Sequence, residues 1–201
     1  MIRVLVAEDQ RMIRGALARL LDLEPDLEVV ATVGTGDEVL EAALASRPDV
    51  ALLDIQMPGI DGIAAAALLR RHLPACAALI LTTFGGPGYL QRAMRAGAAG
   101  FLLKDGPIEQ LAATIRRVVA GERVLDPALA AAALAASPNP LTARERDVLA
   151  AAVGGATVAD IATGLHLSRG TVRNYLSSAI GKTAARNRAE AARIAVANGW
   201  L

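Results

Sequence analysis

The sequence predicts an α/β domain built on a parallel sheet, followed by an all-α domain. Short β-branched apolar segments alternate with segments of helical period through residue 120, whereas only helical period follows residue 140. Pro138 and Pro140 close an alanine-rich stretch between the two parts. The net charge also changes, from −3 over residues 1–137 (13 basic, 16 acidic) to +4 over residues 138–201 (8 basic, 4 acidic).

Five strands and five helices are predicted in the first domain. The strands are Ile2–Ala7, Leu27–Val33, Asp49–Asp54, Ala78–Thr83 and Gly100–Leu103. The helices are Arg11–Leu23, Asp37–Ser46, Ile63–Leu73, Tyr89–Ala96 and Pro107–Ala120. Apolar strands separated by helices are typical of a parallel sheet that is covered on both faces. The pattern fits the flavodoxin-like strand order 2-1-3-4-5, in which ligands bind beyond the carboxyl ends of the strands.

A linker is predicted at residues 121–140, which gives domain limits of 1–120 and 141–201. Four helices are predicted in the second domain, at Ala143–Val153, Val158–Leu165, Arg169–Thr183 and Arg188–Ala197. Thr142 and Glu145 have the spacing of an N-terminal capping box, and Ser168 is a candidate N-cap. These patterns predict a compact helical domain.

The composition excludes several classes of protein. A chain that is 54% hydrophobic and 20% charged is not a disordered one. The single cysteine, Cys76, excludes an internal disulfide and favours a reducing cytoplasm. Charged residues interrupt the N-terminal segment early, and no run of 18 apolar residues follows, so we expect neither a signal peptide nor a membrane partner.

Three carboxylates are predicted to meet at one edge of the sheet. Glu8 and Asp9 end the first strand and Asp54 ends the third, and these strands are neighbours in the predicted order. Each acid alone is explained equally well as a solvated strand end or a helix cap. Three together repel one another unless a cation lies among them, and an all-oxygen set favours Mg²⁺.

Two further polar groups are predicted at the same edge. Thr82 lies at the end of the fourth strand and Lys104 follows the fifth. A hydroxyl and an ammonium near a metal-bound carboxylate are the groups expected around phosphoryl oxygens. Lys104 and Lys182 are the only lysines among 21 basic residues, which indicates a specific requirement for a compact point charge.

Residues 1–120 resemble a bacterial response-regulator receiver domain. The matching residues are Glu8-Asp9, the run LDIQMPGIDG at 53–62, Thr82, Phe101 and Lys104. The spacings also suit that family, with 28 residues from Asp54 to Thr82 and 22 from Thr82 to Lys104.

The resemblance implies a role for each of these residues. Asp54 would accept a phosphoryl group from a histidine kinase, with Thr82 and Lys104 at the phosphoryl oxygens. Phe101 would change rotamer as Thr82 moves. Mg²⁺ would be held by Asp9, Asp54 and the backbone carbonyl of Gln56, and by Glu8 through water. The glycine-rich stretch at 84–88 would be a loop that moves on phosphorylation.

The second domain contains a helix-turn-helix pattern. Residues 157–162 and 169–176 are helical segments separated by the turn GLHLS at 164–168. An ordinary helical bundle explains the pattern too, but basic residues favour contact with phosphate. They are Arg169, Arg173, Lys182, Arg186, Arg188 and Arg193.

This domain is similar to the LuxR-type four-helix DNA-binding domain, on the runs LTARERDVL at 141–149, TVRNY at 171–175 and RNRAEA at 186–191. Both resemblances together imply a NarL/FixJ-type transcription factor. Arg173, Asn174 and Ser177 would face bases. The candidates for phosphate contact are Ser168, Thr171, Lys182 and Arg188.

Partners follow from the same resemblance: a sensor histidine kinase, double-stranded promoter DNA, a second copy of the chain on phosphorylation, and RNA polymerase as a further candidate. Apolar residues on the first and fifth helices are candidate dimer contacts, although most of them are explained equally well as core of the domain. They are Met12, Ile13, Leu17, Ile108, Leu111 and Ile115.

Two alternatives remain open at this point. An Mg²⁺-dependent phosphohydrolase also uses an aspartyl nucleophile, but its motif places a second acid two residues later, where this chain has Gln56. The serine-hydrolase motif G-x-S-x-G is absent from the sequence. The second alternative is a DNA-binding regulator that acts without phosphorylation. We expect no enzyme activity beyond the domain's own phosphoryl transfer and dephosphorylation.

Overall fold

A parallel sheet of six strands organises the first part of the chain in the computed structural model, which describes residues 1–83, 86–134 and 138–201. The strand order is β2-β1-β3-β4-β5-β6, and every neighbouring pair is parallel. The bounds are β1 (Ile2–Ala7), β2 (Leu27–Val33), β3 (Val50–Leu53), β4 (Ala77–Thr82), β5 (Gly100–Leu103) and β6 (Val124–Leu125). The predicted fold class and the order of the first five strands are confirmed.

The expected number of five strands is wrong, because β6 adds a sixth at the edge next to β5. Val124 donates its backbone N–H to Ala99 (3.0 Å), and Asp126 donates to Phe101 (3.2 Å). A strand of two residues is too short to show an alternating pattern. The sheet therefore extends beyond residue 120, where the sequence had placed the end of the domain.

Six helices accompany the sheet: α1 (Arg11–Leu21), α2 (Glu38–Ser46), α3 (Gly62–His72), α4 (Pro87–Ala96), α5 (Ile108–Val119) and α6 (Pro127–Leu134). One face of the sheet packs against α1 and α5, in a core that includes Val6, Leu52, Leu81 and Leu21. Leu111 and Ile115 belong to this core and are buried. The sequence offered these two residues as candidate dimer contacts. Their burial makes them part of the core instead.

The second unit is helical and comprises Ala131–Leu201 together with the short segment Gly86–Tyr89. Its helices are α7 (Ala143–Val153), α8 (Val158–Gly164), α9 (Arg169–Lys182) and α10 (Arg188–Ala197). The Thr142 hydroxyl and the Glu145 carboxylate form the expected capping box, and Thr157 with Asp160 forms a second one at α8. Each capping box satisfies backbone N–H groups that the first helical turn leaves unpaired.

The core of the second unit is made of small and aliphatic side chains, among them Val148, Leu149, Val172 and Leu176. Trp200, the only tryptophan of the chain, packs against it. None of the helices in the described parts of the chain is both long enough and apolar enough to cross a membrane.

Candidate functional site

An acidic cluster lies at the carboxyl ends of β1 and β3. The two strands are adjacent, with Ala7 opposite Leu53, and Asp54 donates its backbone N–H to the Ala7 carbonyl (3.0 Å). This pairing brings Glu8, Asp9 and Asp54 together, with one carboxylate oxygen of each within 4.8 Å of the others. The predicted convergence of the three acids is therefore present in the structure.

Lys104 joins this cluster from the end of β5. Its Nζ atom lies 2.5 Å from Glu8 Oε2 and 3.1 Å from Asp54 Oδ2. The three side chains are almost enclosed, at 11% exposure for Lys104, 1% for Glu8 and 6% for Asp54. Asp9 is exposed at the opening of the cluster. One buried ammonium therefore bridges two buried carboxylates, beside a third that solvent reaches.

Burial disfavours the charged form of the two enclosed carboxylates. Burial raises the pKa of Asp54 above its ordinary value, and the Lys104 ammonium offsets part of that rise. Burial also raises the pKa of Glu8 against the same opposing effect of Lys104, and the charge of Asp54 adds to the rise. Lys104 is the only cationic side chain in the described residues that forms an ion pair with these acids. The pocket thus favours a further cation.

The other predicted site residues differ in their surroundings. Thr82 is fully buried at the end of β4, the strand between β3 and β5, and its carbonyl accepts the backbone N–H of Lys104 (2.9 Å). Phe101 is fully buried on β5, opposite Ile80 and Leu125. Gln56 is exposed in the loop after Asp54. Of the loop predicted to move, Phe84 and Gly85 lie outside the described residues.

Two structural features of the pocket were not predicted from the sequence. Arg14 of α1 donates a guanidinium hydrogen bond to the carbonyl oxygen of Glu8 and so holds the end of β1. A Cβ atom at Gly62 would lie 1.9 Å from the carbonyl oxygen of Asp54, so only glycine lets the β3–α3 loop close on the site. The sequence contains Arg14 six residues after Glu8, but nothing in that spacing indicates a backbone contact.

The second candidate site is the helix-turn-helix formed by α8 and α9. The turn is closed by a backbone hydrogen bond from Leu167 to Ala162 (2.9 Å), and His166 adopts a left-handed conformation there (φ 54°). Arg173, Asn174 and Ser177 lie on one side of α9 and are exposed. No hydrogen bond or ion pair within the described part of the chain engages these three side chains.

The residues predicted to contact phosphate have intramolecular partners instead. The Ser168 hydroxyl caps α9 by accepting the backbone N–H of Thr171 (3.0 Å), and the two hydroxyls are 2.8 Å apart. Lys182 Nζ lies 2.7 Å from Glu145 Oε2. Arg188 donates from Nη1 to the carbonyl of Ala156 (3.1 Å). For Ser168, Thr171 and Arg188, contact with DNA stays a prediction, whereas the ion pair with Glu145 competes with such a contact at Lys182.

Comparisons with known proteins identify the family of each domain. Residues 4–116 match the response regulator receiver domain, and residues 139–195 match the bacterial regulatory proteins of the luxR family. Over the full length of both proteins, the chain is 49% identical to YvfU, an uncharacterized transcriptional regulatory protein of Bacillus subtilis strain 168. It is 44% identical, again over the full length of both, to the transcriptional regulatory protein DesR of the same organism.

Solved structures show the same architecture. The response regulator ChrA of a heme-sensing two-component system superimposes with a TM-score of 0.60 at 32% identity, over 96% of each chain. A structure of two RcsB dimers on two parallel DNAs superimposes with a TM-score of 0.70 over 98% of each chain, and its 21% identity supports the fold alone. The chain therefore belongs to the NarL/LuxR-type response regulators, the transcriptional regulators of two-component systems that join a receiver domain to a LuxR-type DNA-binding domain.

Proposed function

We propose that this regulator is switched by phosphorylation of Asp54 by a histidine kinase and then controls transcription as a DNA-bound dimer. The observation that supports it most strongly is the contact of Lys104 with both Glu8 and Asp54 in a nearly enclosed pocket. A cation held against a buried carboxylate is placed to neutralise the charge that a phosphoryl group brings.

The donor set fits Mg²⁺. Asp9, Asp54 and the backbone carbonyl of Gln56 would hold the ion directly, with Glu8 acting through water, and all of these ligands are oxygens. Glu8, Asp9 and Asp54 lie together with Lys104 as their one ion-pair partner among the described residues, so three carboxylates meet one ammonium and a further cation is favoured. When bound, Mg²⁺ would neutralise charge on the phosphoryl oxygens during transfer.

In the proposed transfer, an Asp54 carboxylate oxygen attacks the phosphorus of the kinase phosphohistidine. The P–N bond breaks, the imidazole leaves, and an acyl phosphate forms on Asp54. Lys104 then pairs with a phosphoryl oxygen, and the Thr82 hydroxyl donates a hydrogen bond to another. Phe101, buried on the strand beside Thr82, moves with it and transmits the change to the surface.

A small phosphodonor tests this function. After incubation with Mg²⁺ and acetyl phosphate, intact mass should show one added phosphoryl group in the unchanged chain and in Asp105→Asn, an exposed control next to Lys104. Asp54→Asn should show none. Full phosphorylation of Asp54→Asn would contradict the assignment. Equal DNA affinity with and without the phosphoryl group would instead support a regulator independent of phosphorylation.

We further propose that phosphorylation favours dimers through the α1–α5 face. Met12 is 87% exposed on α1, and Leu20 and Leu23 are exposed as well. Leu20 also lines a cavity of about 530 Å³, together with Ile13, Leu17 and Ile108 and with polar residues near Lys104. Exposed apolar groups next to a cavity are typical of association surfaces. Sedimentation at micromolar protein should show more dimer with acetyl phosphate than without it, and an unchanged monomer fraction would contradict the proposal.

For DNA binding, we propose that α9 enters the major groove with Arg173, Asn174 and Ser177 towards the bases. The arginine fork suits a guanine edge and the asparagine amide suits adenine, each supplying about 1–3 kcal/mol of discrimination. All three side chains are exposed on one side of α9. In selection from random DNA, the Arg173→Ala variant should show no base preference at one position where the unchanged chain has one. If both proteins selected the same sequence, Arg173 would not contact a base.

A further inference from the structure

The Glu145 carboxylate joins the start of α7 to the end of α9. Its Oε1 atom accepts the Ser178 hydroxyl at 2.6 Å, and its Oε2 atom lies 2.7 Å from Lys182 Nζ. The same Oε2 accepts the backbone N–H of Thr142 at 2.7 Å, within the capping box of α7. Both carboxylate oxygens are therefore engaged by donors from two helices.

Glu145 and Lys182 differ in exposure. The Glu145 side chain is 5% exposed, whereas the Lys182 side chain is 36% exposed. Burial alone would raise the pKa of Glu145, but hydrogen bonds from Lys182, Ser178 and Thr142 outweigh it and lower the pKa to about 2. Glu145 is therefore ionised at neutral pH, and its charge opposes that of a lysine at the surface.

Lys182 lies beside the proposed base-contacting side of α9. It follows Asn174 by eight positions, which corresponds to about 80° around a helix of 3.6 residues per turn, whereas Ser177 and Arg173 lie farther round, at about 140° and 180°. Side chains on the flanks of a recognition helix are those that approach the phosphates. An unrestrained ammonium at this position would attract any DNA, whatever its sequence.

We propose that Glu145 restrains Lys182 and thereby limits sequence-independent binding of DNA by the second unit. This inference rests on the proposed DNA binding and adds to it a residue that determines specificity without contacting DNA. Glu145 is thus a positioning residue. Its two contacts on α9, at Ser178 and Lys182, also fix the recognition helix against α7.

Glu145→Gln tests the proposal. The amide keeps the shape of the side chain but removes the charge opposing Lys182. We expect tighter binding to a duplex of random sequence at low salt, and a plot of log affinity against log salt that steepens by about 0.9, the value for one added phosphate contact. A role in folding alone would weaken binding and would not steepen the salt dependence.

Asp147→Asn is the matched control, because it removes one negative charge from the exposed side of the same helix, two residues away. Its salt dependence should equal that of the unchanged chain. Trp200 fluorescence during urea titration establishes whether the second unit is folded in each variant, since this is the only tryptophan. An equal steepening in both variants would overturn the proposal, because it would show a general charge effect.

Lys182→Gln gives a second, independent measurement that does not depend on the stability of Glu145→Gln. Alone, it should leave the salt dependence unchanged, because Glu145 already opposes the ammonium. Added to Glu145→Gln, it should remove the extra slope. If Lys182→Gln alone made the slope of log affinity against log salt shallower by about 0.9, the proposal would be overturned, since this would show that Lys182 already contacts phosphate. If the unchanged chain bound no DNA at all, the proposed function would fail with it.

Discussion

Lys104 illustrates how far the chemistry of one side chain determines this site. Its ammonium reaches Glu8 and Asp54 from a position that leaves the side chain 11% exposed. Arginine keeps the charge, but its planar fork is larger and distributes its donors differently. Lys104→Arg should therefore slow phosphorylation by acetyl phosphate by about tenfold, equivalent to about 1.4 kcal/mol in the barrier.

The measurement for Lys104→Arg is the rate of mass increase at saturating Mg²⁺ and phosphodonor. Lys104→Ala should be slower still, because it removes the charge as well as the shape. A Lys104→Arg rate equal to that of the unchanged chain would show that any cation suffices in the pocket.

Glu145 makes the stability of the second unit dependent on pH. Its pKa is lowered from 4.5 to about 2 in the folded chain, against the opposing effect of burial. A lowered pKa means that the folded state binds this proton less readily, so the stabilisation is complete above pH 4.5 and decreases as pH falls towards 2. Urea unfolding followed by Trp200 fluorescence should show this decrease.

Glu145→Gln should be less stable at neutral pH and should lose stability less steeply below pH 4.5. The stability of this variant will still depend on pH to some extent, since hydrogen bonds also lower the pKa of Asp160 and of Glu190. Asp147→Asn should keep the full dependence. An identical pH profile in Glu145→Gln would show that the carboxylate does not contribute.

At the level of single elements, Arg3 shows how a residue of one strand stabilises the end of a helix. Its guanidinium donates from Nη2 to the Ser46 carbonyl (2.6 Å) and from Nε to the Arg47 carbonyl (3.3 Å), at the C-terminus of α2. The last carbonyls of a helix have no partner within it, and a cation there also opposes the helix dipole. Arg3→Ala should therefore destabilise the first unit by about 1 kcal/mol.

Urea unfolding followed by far-UV circular dichroism measures this effect. Arg123→Ala removes an exposed arginine from the loop before β6 and should change stability by less than about 0.5 kcal/mol. Equal stability of Arg3→Ala and Arg123→Ala would exclude the proposed contribution of Arg3 to α2.

The elements differ in how well local pattern predicts them. The strands β1 to β5 were predictable because segments of helical period bound their apolar runs. The meeting of the acids that follow β1 and β3 was predictable because strand order alone makes these two strands neighbours. In contrast, β6 has only Val124 and Leu125, and its pairing with Gly100 and Phe101 arises from tertiary structure. For the same reason the contact of Arg14 with the Glu8 carbonyl, between side chain and backbone, was not predictable from residue types.

In the second unit, the sequence predicted which residues α9 exposes but not how they are held. The resemblance to the LuxR-type domain implied that Arg173, Asn174 and Ser177 face outward together, and the structure exposes all three. The capping pattern identified Glu145 as a partner of Thr142, yet its remaining oxygen sites bind Ser178 and Lys182, more than 30 residues away. Such pairs depend on how α7 packs on α9, which local spacing does not specify.

For the whole molecule, the proposed α1–α5 dimer determines what DNA site is recognised. One recognition helix covers only a short stretch of major groove, so two second units on one face of the duplex are needed for tight, specific binding. We expect a two-fold symmetric site with half-sites about 10 base pairs apart, one helical turn.

Changing the spacing of the half-sites tests this arrangement directly. Inserting about 5 base pairs rotates one half-site to the opposite face of the duplex, so it should abolish the gain in affinity that acetyl phosphate produces. Inserting about 10 base pairs returns both half-sites to the same face and should recover part of that gain. Electrophoretic mobility shift at constant salt gives the comparison, with Asp54→Asn as the variant that shows no gain on any spacing. A phosphorylation effect of equal size on all three spacings would mean that the two DNA-binding units act independently, and that the dimer does not set the geometry of recognition.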